Sequence, residues 1–536
     1  MSIYTATLAS RSSTRWVSPL IVAVLVLLPM LVGDRQGFEG DGLAILFGMN
    51  QFEALGRAGV YRYHWQPLSY ELVAALQPLF DRPFAQGYVA QAFGGAGLAL
   101  LYLLLARILR NVPYARALAL VLTLCIPELW ITTLYLNTSA LALPFITGAL
   151  LLMHRACVPG APVLGMVPAG MVLGAGCLFR LDFLALVPAV LVLPWLWAEQ
   201  SRMQRLLAFI AGGLATGALF LAWQPHFIAD AAAILNRYGE GEFSVTLAYR
   251  LKIVLFSMGP ALLIFPLLWW ASRRGESGGG RAPAQRNRAW LVYLAALAPT
   301  LAPLGNLYSG KYLLPFFLGL TVLVAHAVAR NFGTLKGVSP QRLAHSRLQR
   351  GALLSAALLA ALVLVGMPPP EALKKHPLTA WALEPMVVGT HDGARPAGAY
   401  LGFLHQLRQF ELPQPSVRFY KELSDVVNLC QADVTVLMSP VEKYGHNEWS
   451  WGWLPVYLMQ QGWELSEYQA GRQALLEHPV SGRQVRVLSS DQRALAEPAH
   501  TLDQAGIGQR EDYLFWSDAL RWIRDPATRA VCLKTQ

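Results

Sequence analysis

The chain is poor in charged residues and in cysteine. Asp, Glu, Lys and Arg make up 14% of its 536 residues and hydrophobic residues 55%, whereas soluble globular chains have about 25% charged residues. An ordinary soluble fold is therefore excluded, and the long apolar blocks are typical of membrane spans. Five cysteines are too few for a disulfide scaffold. Cys125, Cys157 and Cys177 lie in or near apolar blocks and are expected to be small core residues.

No cleavable signal peptide is expected at the N-terminus. Its first apolar block, Trp16–Val32, follows Arg11 and Arg15 without a clear small-residue cleavage site, so it is predicted to be a retained first span. Blocks of spanning or near-spanning length predict about eleven transmembrane helices. They are residues 17–33, 86–107, 117–133, 135–153, 162–179, 182–198, 206–224, 251–270, 289–305, 312–329 and 351–367.

The connectors on one side of these spans nearly lack acidic residues. They hold eighteen Lys and Arg against two acids, Glu199 and Glu276. This is the positive-inside pattern, and it predicts a cytoplasmic N-terminus for a protein of the bacterial inner membrane. The segments expected on the extracytoplasmic side are the loop 34–85, the turn at 180, the loop 225–250, the turn 306–311 and the tail 368–536.

The formal charge of +11 is not that of a nucleic-acid-binding protein. From Pro368 to the end there are 19 acidic and 16 basic residues, so the positive excess lies in the membrane half. It is concentrated in short connectors rather than along one face, and we expect no nucleic-acid partner.

Two segments of the first outer loop carry candidate site residues. Glu39 and Asp41 alternate with glycines after the first span, where a carboxylate could act as general base on an acceptor hydroxyl. An ordinary solvated acidic turn is the alternative. Arg62, Tyr63 and His64 lie in an aromatic-rich segment and could donate hydrogen bonds to a phosphate or sugar, or belong to an interfacial aromatic belt.

Two further outer turns contain ionisable residues beside apolar blocks. Arg180 and Asp182 could bind substrate, because charges at membrane depth are costly, or could form an ion pair with each other. Lys311, between Tyr308 and Tyr312, lies on the outer side against the charge bias. A cation there suits a lipid phosphate, and a snorkelling lysine is the alternative.

The order of these segments resembles that of the GT-C superfamily of integral-membrane glycosyltransferases. The segment His64–Leu68 is similar to the His-Pro-Pro-Leu type segment of family-39-like enzymes, with Trp-Gln replacing one proline. Lys311–Pro315 is similar to their Arg-Tyr-Leu-Leu-Pro type segment, with Lys for Arg. The aminoarabinose transferase and the protein mannosyltransferases are of this type, and the resemblance covers about residues 17–330.

The resemblance implies an enzyme that transfers a sugar, with inversion, from a polyprenyl-phosphate donor to a hydroxyl acceptor of the cell envelope. The catalytic acid of the family then corresponds to Asp41, with Glu39 as the alternative, and its phosphate-binding cations to Lys311 or Arg180. Some relatives use a divalent cation. This sequence has no His/Cys cluster with metal-ligand spacing, so we expect no tightly bound metal.

Together these patterns predict an α-helical polytopic membrane protein with a GT-C-like domain, residues 1–367, followed by a small extracytoplasmic α/β domain, residues 368–536. In the tail, Val434–Met438 and Gln484–Leu488 are predicted strands, and helices are predicted near Pro455–Gln461 and Tyr513–Ile523. Two other classes remain open: a transporter or flippase for lipid-linked glycans, and an enzyme like the O-antigen polymerases.

Overall fold

The computed structural model is mostly helical over the part of the chain that it describes. Short 3-10 segments cover Val163–Gly165, Leu181–Leu186, Ala298–Asn306 and Gly310–Leu313, and residues 291–296 and 348–357 are also helical. The residues described are 17–32, 45, 66–76, 86–134, 136–229, 247–272, 291–306, 310–333, 348–357, 385–387, 394–396, 424, 427–428, 433–438, 453–469, 473–489 and 513–515. The helices are α1 (Val17–Val32), α2 (Pro67–Leu76), α3 (Gln86–Ile108), α4 (Ala115–Leu124), α5 (Pro127–Ile131), α6 (Thr138–Ala156), α7 (Met166–Phe179), α8 (Val187–Trp197), α9 (Arg202–Trp223), α10 (Leu247–Met258), α11 (Ala261–Ser272), α12 (Leu314–Gly333) and α13 (Trp453–Gln460).

Every predicted span overlaps helical structure. In the described residues, four helices are long and apolar enough to cross a membrane, by length and composition. They are Gly87–Ile108, Thr138–Ala156, Arg202–Trp223 and Lys311–Arg330. These four helices indicate a membrane-embedded protein. Most of the remaining blocks contain shorter apolar helices in their described residues, so the count of eleven spans stays a prediction.

Two of the predicted spans are broken where proline interrupts the helix. The block 117–133 divides into α4 and α5 just before Pro127, and the block 251–270 divides into α10 and α11 at Gly259 and Pro260. Gly259 has φ +47, a conformation that glycine adopts without strain. The Ala261 N–H donates to the Cys125 carbonyl at 3.1 Å, so the two breaks meet. Backbone freed inside an apolar region is satisfied in this way.

Helix α6 is central to the bundle. It packs in parallel on α3, where Thr147 donates to the Gly97 carbonyl at 3.1 Å, and antiparallel to α7, where Gly176 approaches Ile146. Its buried face is small or aliphatic, and Cys125, Cys157 and Cys177 are buried free thiols as expected.

Helices α7 and α9 approach each other at glycines. A Cβ added to Gly170 would lie 2.0 Å from the Phe209 carbonyl oxygen, and one added to Gly212 would lie 2.1 Å from that of Val167. Small residues allow membrane helices this close approach. The contact ties α7, which ends at the turn containing Arg180, to the rest of the bundle.

The two ends of α6 define two ends of the bundle. The first, called here the Arg180 end, contains the start of α6 and the segments 180–182 and 311–312. The second, the Arg155 end, contains the last turns of α3, α6 and α8 and the start of α9. At 1.5 Å per residue, the 19 residues of α6 separate them by about 28 Å. The predicted outer turns at 180 and 311 and the predicted cytoplasmic connectors that follow α3, α6 and α8 therefore lie at opposite ends of the described bundle.

The described parts of the tail contain the strands β1 (Pro385–Val387), β2 (Ala394–Pro396), β3 (Val434–Met438), β4 (Glu464–Gln469), β5 (Gln473–Glu477), β6 (Gln484–Ser489) and β7 (Tyr513–Phe515). Strands β1 and β2 form a separate pair, and the other five form a mixed sheet in the order β4-β5-β6-β3-β7. Strand β3 runs parallel to β6 and β7, whereas β4, β5 and β6 are antiparallel.

The tail confirms three predicted elements and corrects one. The two predicted strands are β3 and β6, and the predicted helix near Pro455 is α13. The helix predicted from Tyr513 is wrong at its start, because Tyr513–Phe515 pairs with β3 as strand β7. Aromatic residues favour strands, and the open edge of β3 supplies the hydrogen-bond partners. The domain division at residue 367 is not tested and stays a prediction.

Candidate active site

Arg180 and Asp182 form a tight ion pair at the end of α7. The helix stops at Phe179, and Arg180 takes an extended conformation before the 3-10 segment Leu181–Leu186. This turn brings the Arg180 Nε–H within 2.8 Å of both carboxylate oxygens of Asp182. The Arg180 side chain is 2% exposed and that of Asp182 20%. The pairing expected as an alternative from the sequence is therefore present.

The pair is fixed to the start of α6. The Arg180 Nη1–H donates to the Thr138 hydroxyl at 3.2 Å. Thr138 is the first helical residue after Asn137, whose side-chain oxygen accepts from the Ala140 N–H at 2.8 Å and caps the helix. Asparagine is a favoured N-cap because its side chain satisfies a backbone donor that the first turn leaves open.

Lys311 and Tyr312 lie against the same arginine. The Arg180 guanidinium carbon is 5.2 Å from the centroid of the Tyr312 ring, and the Lys311 Nζ is 5.3 Å from it. Both distances are within the range of a cation–π interaction. Lys311 is 4% exposed, so it does not extend to bulk water as a snorkelling lysine would.

The first outer loop reaches this cluster through α2. Pro67 starts the helix, and the Ser69 hydroxyl donates to the Phe179 carbonyl at 3.0 Å, next to Arg180. Ser69 and Tyr70 are buried. The start of α2 therefore lies directly beside the ion pair.

The structure brings together four of the predicted site residues: Arg180, Asp182, Lys311 and Tyr312. The other six lie outside the described residues, so their roles stay predictions. They are Glu39, Asp41, Arg62, Tyr63, His64 and Tyr308. Within the described ranges no group of three or more His, Cys, Asp and Glu could hold a metal ion. Because the acids of the first outer loop are not among them, metal dependence also stays a prediction.

Sequence reasoning missed Thr138, Asn137 and Glu128. A short polar run, residues 137–139, near the start of the predicted block 135–153 is a helix-start signal and could have identified the first two. Glu128 lies inside the predicted span 117–133 and is fully buried in α5. An acid inside a span is a candidate functional residue by default.

Chemically, the cluster offers a buried positive charge at one end of an apolar bundle. Asp182 offsets the charge of Arg180. Lys311 adds a second cation, which also contacts the Tyr312 ring. A cation in a site of low polarity interacts strongly with an anion, because water screens it little. The arrangement suits a phosphate whose apolar substituent lies along the helices.

Comparison with known proteins identifies similar structures but no family match. No family model matches the chain, and no curated protein matches it. The crystal structure of ArnT from Cupriavidus metallidurans in the apo state has 16% identity and a TM-score of 0.49, covering 84% of this chain and 85% of that one. The structure of the same protein bound to undecaprenyl phosphate has 15% identity and the same TM-score, covering 83% and 85%.

At such identity and TM-score, the likeness concerns the overall chain path alone. The functional reasoning that follows rests on the residues of this chain.

Proposed function

We propose that the chain is a membrane glycosyltransferase that moves a sugar from a polyprenyl-phosphate donor to a hydroxyl acceptor of the cell envelope. The observation that carries the proposal is the convergence of two outer turns on one cluster, Arg180, Asp182, Lys311 and Tyr312, in which both cations are buried. A cation buried among apolar helices suits a phosphate that carries a long apolar chain.

In this proposal Lys311 binds the donor phosphate and stabilises the negative charge that develops as the sugar leaves. Preorganised charge of this kind is often the largest contribution to catalysis. Asp41, or Glu39 in its place, removes the proton of the acceptor hydroxyl on the opposite face of the sugar, and the anomeric centre inverts. Helix α2, which belongs to the same predicted outer loop, is bonded through Ser69 to the last residue of α7, next to Arg180.

The Arg180 end is proposed to face the extracytoplasmic side of the bacterial inner membrane. The opposite end carries the exposed arginines Arg107, Arg110 and Arg155, in agreement with a cytoplasmic location. No nucleotide sugar is available outside the cytoplasm, and a lipid-linked donor supplies the sugar there. The tail 368–536 then forms an extracytoplasmic domain, and no cofactor is tightly bound.

The experiment incubates purified protein with radiolabelled polyprenyl-phosphate sugars and a membrane extract that supplies the acceptor. We expect label transfer by the wild type and its loss in Asp41→Asn. Transfer that persists undiminished in Asp41→Asn contradicts the assignment of the base. Absence of transfer from every lipid-linked donor contradicts the enzyme.

A transporter of lipid-linked glycans is the second candidate, and one observation favours it. The broken spans α4–α5 and α10–α11 meet at the Ala261–Cys125 hydrogen bond, with Glu128 buried in α5. Discontinuous helices and ionisable residues inside spans are features of transporters. Translocation of a labelled lipid across liposomes, without sugar transfer, would support this candidate instead.

A further inference from the structure

Arg180 is held by contacts from three separate parts of the chain. Its Nε–H bonds to Asp182 two residues away, its guanidinium lies over Tyr312, and its Nη1–H donates to Thr138, which is 42 positions distant. A buried charge is tolerated only when its hydrogen-bond donors have partners. The Thr138 hydroxyl supplies the contact from α6.

Thr138 is itself rigidly placed. The side chain of the preceding Asn137 donates to the Thr132 carbonyl and accepts from the Ala140 N–H, so the turn before α6 and its first turn are joined. A β-branched side chain on a helix has few χ1 rotamers. The backbone position of α6 therefore limits the Thr138 hydroxyl to few positions, one of which meets the Arg180 Nη1–H.

We propose that Thr138 is a positioning residue of the donor site, an inference that rests on the function proposed above. Its hydroxyl fixes the orientation of the Arg180 guanidinium against the Tyr312 ring, and thereby the position of Lys311, which precedes Tyr312. Thr138 does not touch the donor in this account, and acts through Arg180 and Tyr312.

The Tyr312 ring connects the two cations. Arg180 and Lys311 approach it to 5.2 and 5.3 Å, so the ring orientation depends on Arg180 and the Lys311 amine depends on the ring. Without the Thr138 hydroxyl, one guanidinium nitrogen loses that acceptor and the group reorients. The consequence is weaker binding of the donor phosphate, while acceptor recognition at the first outer loop is unchanged.

The test compares Thr138→Val, which removes the hydroxyl at nearly constant shape, with Thr138→Ser, which keeps it. Binding of a polyprenyl phosphate to the purified full-length protein is measured by titration, together with the KM values for donor and acceptor. We expect Thr138→Val to weaken polyprenyl-phosphate binding and raise the donor KM about tenfold, the effect of one hydrogen bond to a charged group. Thr138→Ser stays within about twofold, and the acceptor KM does not change.

Thr147→Val is the matched control, because Thr147 is a buried threonine of the same helix whose hydroxyl bonds to Leu143 and Gly97. The proposal is overturned when Thr138→Val binds polyprenyl phosphate as tightly as the wild type. It is also overturned when Thr147→Val weakens this binding as much as Thr138→Val does. If the wild type binds polyprenyl phosphate but transfers no sugar, the proposed function is contradicted. The comparison of binding between the variants then still decides whether Thr138 positions the site. No binding of polyprenyl phosphate by the wild type overturns both.

Discussion

The cations at the two ends of α6 have opposite surroundings. At the Arg180 end, Arg180 and Lys311 are 2% and 4% exposed and share an aromatic ring. At the Arg155 end, Arg107 and Arg155 are exposed. Exposed cations at the ends of spans act as a topology signal and interact with lipid head groups. Burial together with specific side-chain partners distinguishes the first set and is the basis of the proposed site.

One arginine at the Arg155 end is buried as well, and its partners show the difference. Arg205 is 6% exposed and donates only to backbone in the contacts resolved, to the carbonyls of Ala156, Ala161 and Gln200. It therefore caps the end of α6 and ties α9 to it. Arg180 instead contacts a carboxylate, a hydroxyl and an aromatic ring, which are groups that can respond to a ligand.

The largest effect is expected for Arg180→Gln. The change leaves the Asp182 carboxylate, which is 20% exposed, without the Arg180 cation. Removing one partner of a largely buried ion pair lowers the free energy of unfolding by about 3 kcal/mol. We expect a clear drop of the melting temperature in detergent and loss of sugar transfer. Arg155→Gln, at the exposed end, is the control and should leave both unchanged. Equal effects of the two variants would remove the distinction between the ends.

Lys311→Met is expected to lower transfer about 100-fold with the fold retained, because one charge that stabilises the leaving phosphate is lost. The measurement is kcat/KM for the lipid-linked donor, with the melting temperature as the control for folding. Lys311→Arg keeps the charge and should retain most of the activity. If Lys311→Met transfers sugar normally, the Arg180 end is not the phosphate site.

Arg205→Met should destabilise the protein by about 2 kcal/mol, since the carbonyls at the end of α6 lose their charged donor. The donor KM of the surviving folded fraction should equal that of the wild type. A raised donor KM would show that the Arg155 end also takes part in donor binding.

The smallest effect on sugar transfer is expected where α7 packs on α9, between the two ends. Gly212→Ala places a methyl group 2.1 Å from the Val167 carbonyl oxygen, so the backbone must shift, and the change should cost about 3 kcal/mol, measured as a lower melting temperature. Gly217→Ala, one and a half turns further along the same helix, meets nothing within 4 Å and should not destabilise. Equal tolerance of both would mean that the close helix approach is wrong.

The sequence alone predicts much of the bundle and part of the site. Transferring charge into lipid is costly, so membrane helices are long apolar blocks and the cations lie in the connectors between them. The sequence therefore predicts the helices and which connectors share an end of the bundle. The pairing of Arg180 with Asp182 follows from a spacing of two in a short turn. These are local properties of the chain.

The remaining features depend on contacts between distant segments. Thr138 meets Arg180 across 42 positions, and no periodicity in either segment indicates it. The Cys125–Ala261 hydrogen bond likewise joins two helix breaks, each of which shows in the sequence only as a proline inside an apolar block. The helix prediction from Tyr513 fails for the same reason, because Tyr513–Phe515 pairs with the distant strand β3, a contact that the local sequence does not indicate.

The most direct test of the account is to locate the donor phosphate on the bundle. Purified full-length protein is irradiated with a polyprenyl phosphate that carries a photoreactive group near the phosphate, and the labelled peptides are identified by mass spectrometry. The account predicts labelling around Arg180 and Tyr312 that unlabelled polyprenyl phosphate suppresses. Labelling confined to the peptides of Arg107 and Arg155 would contradict it.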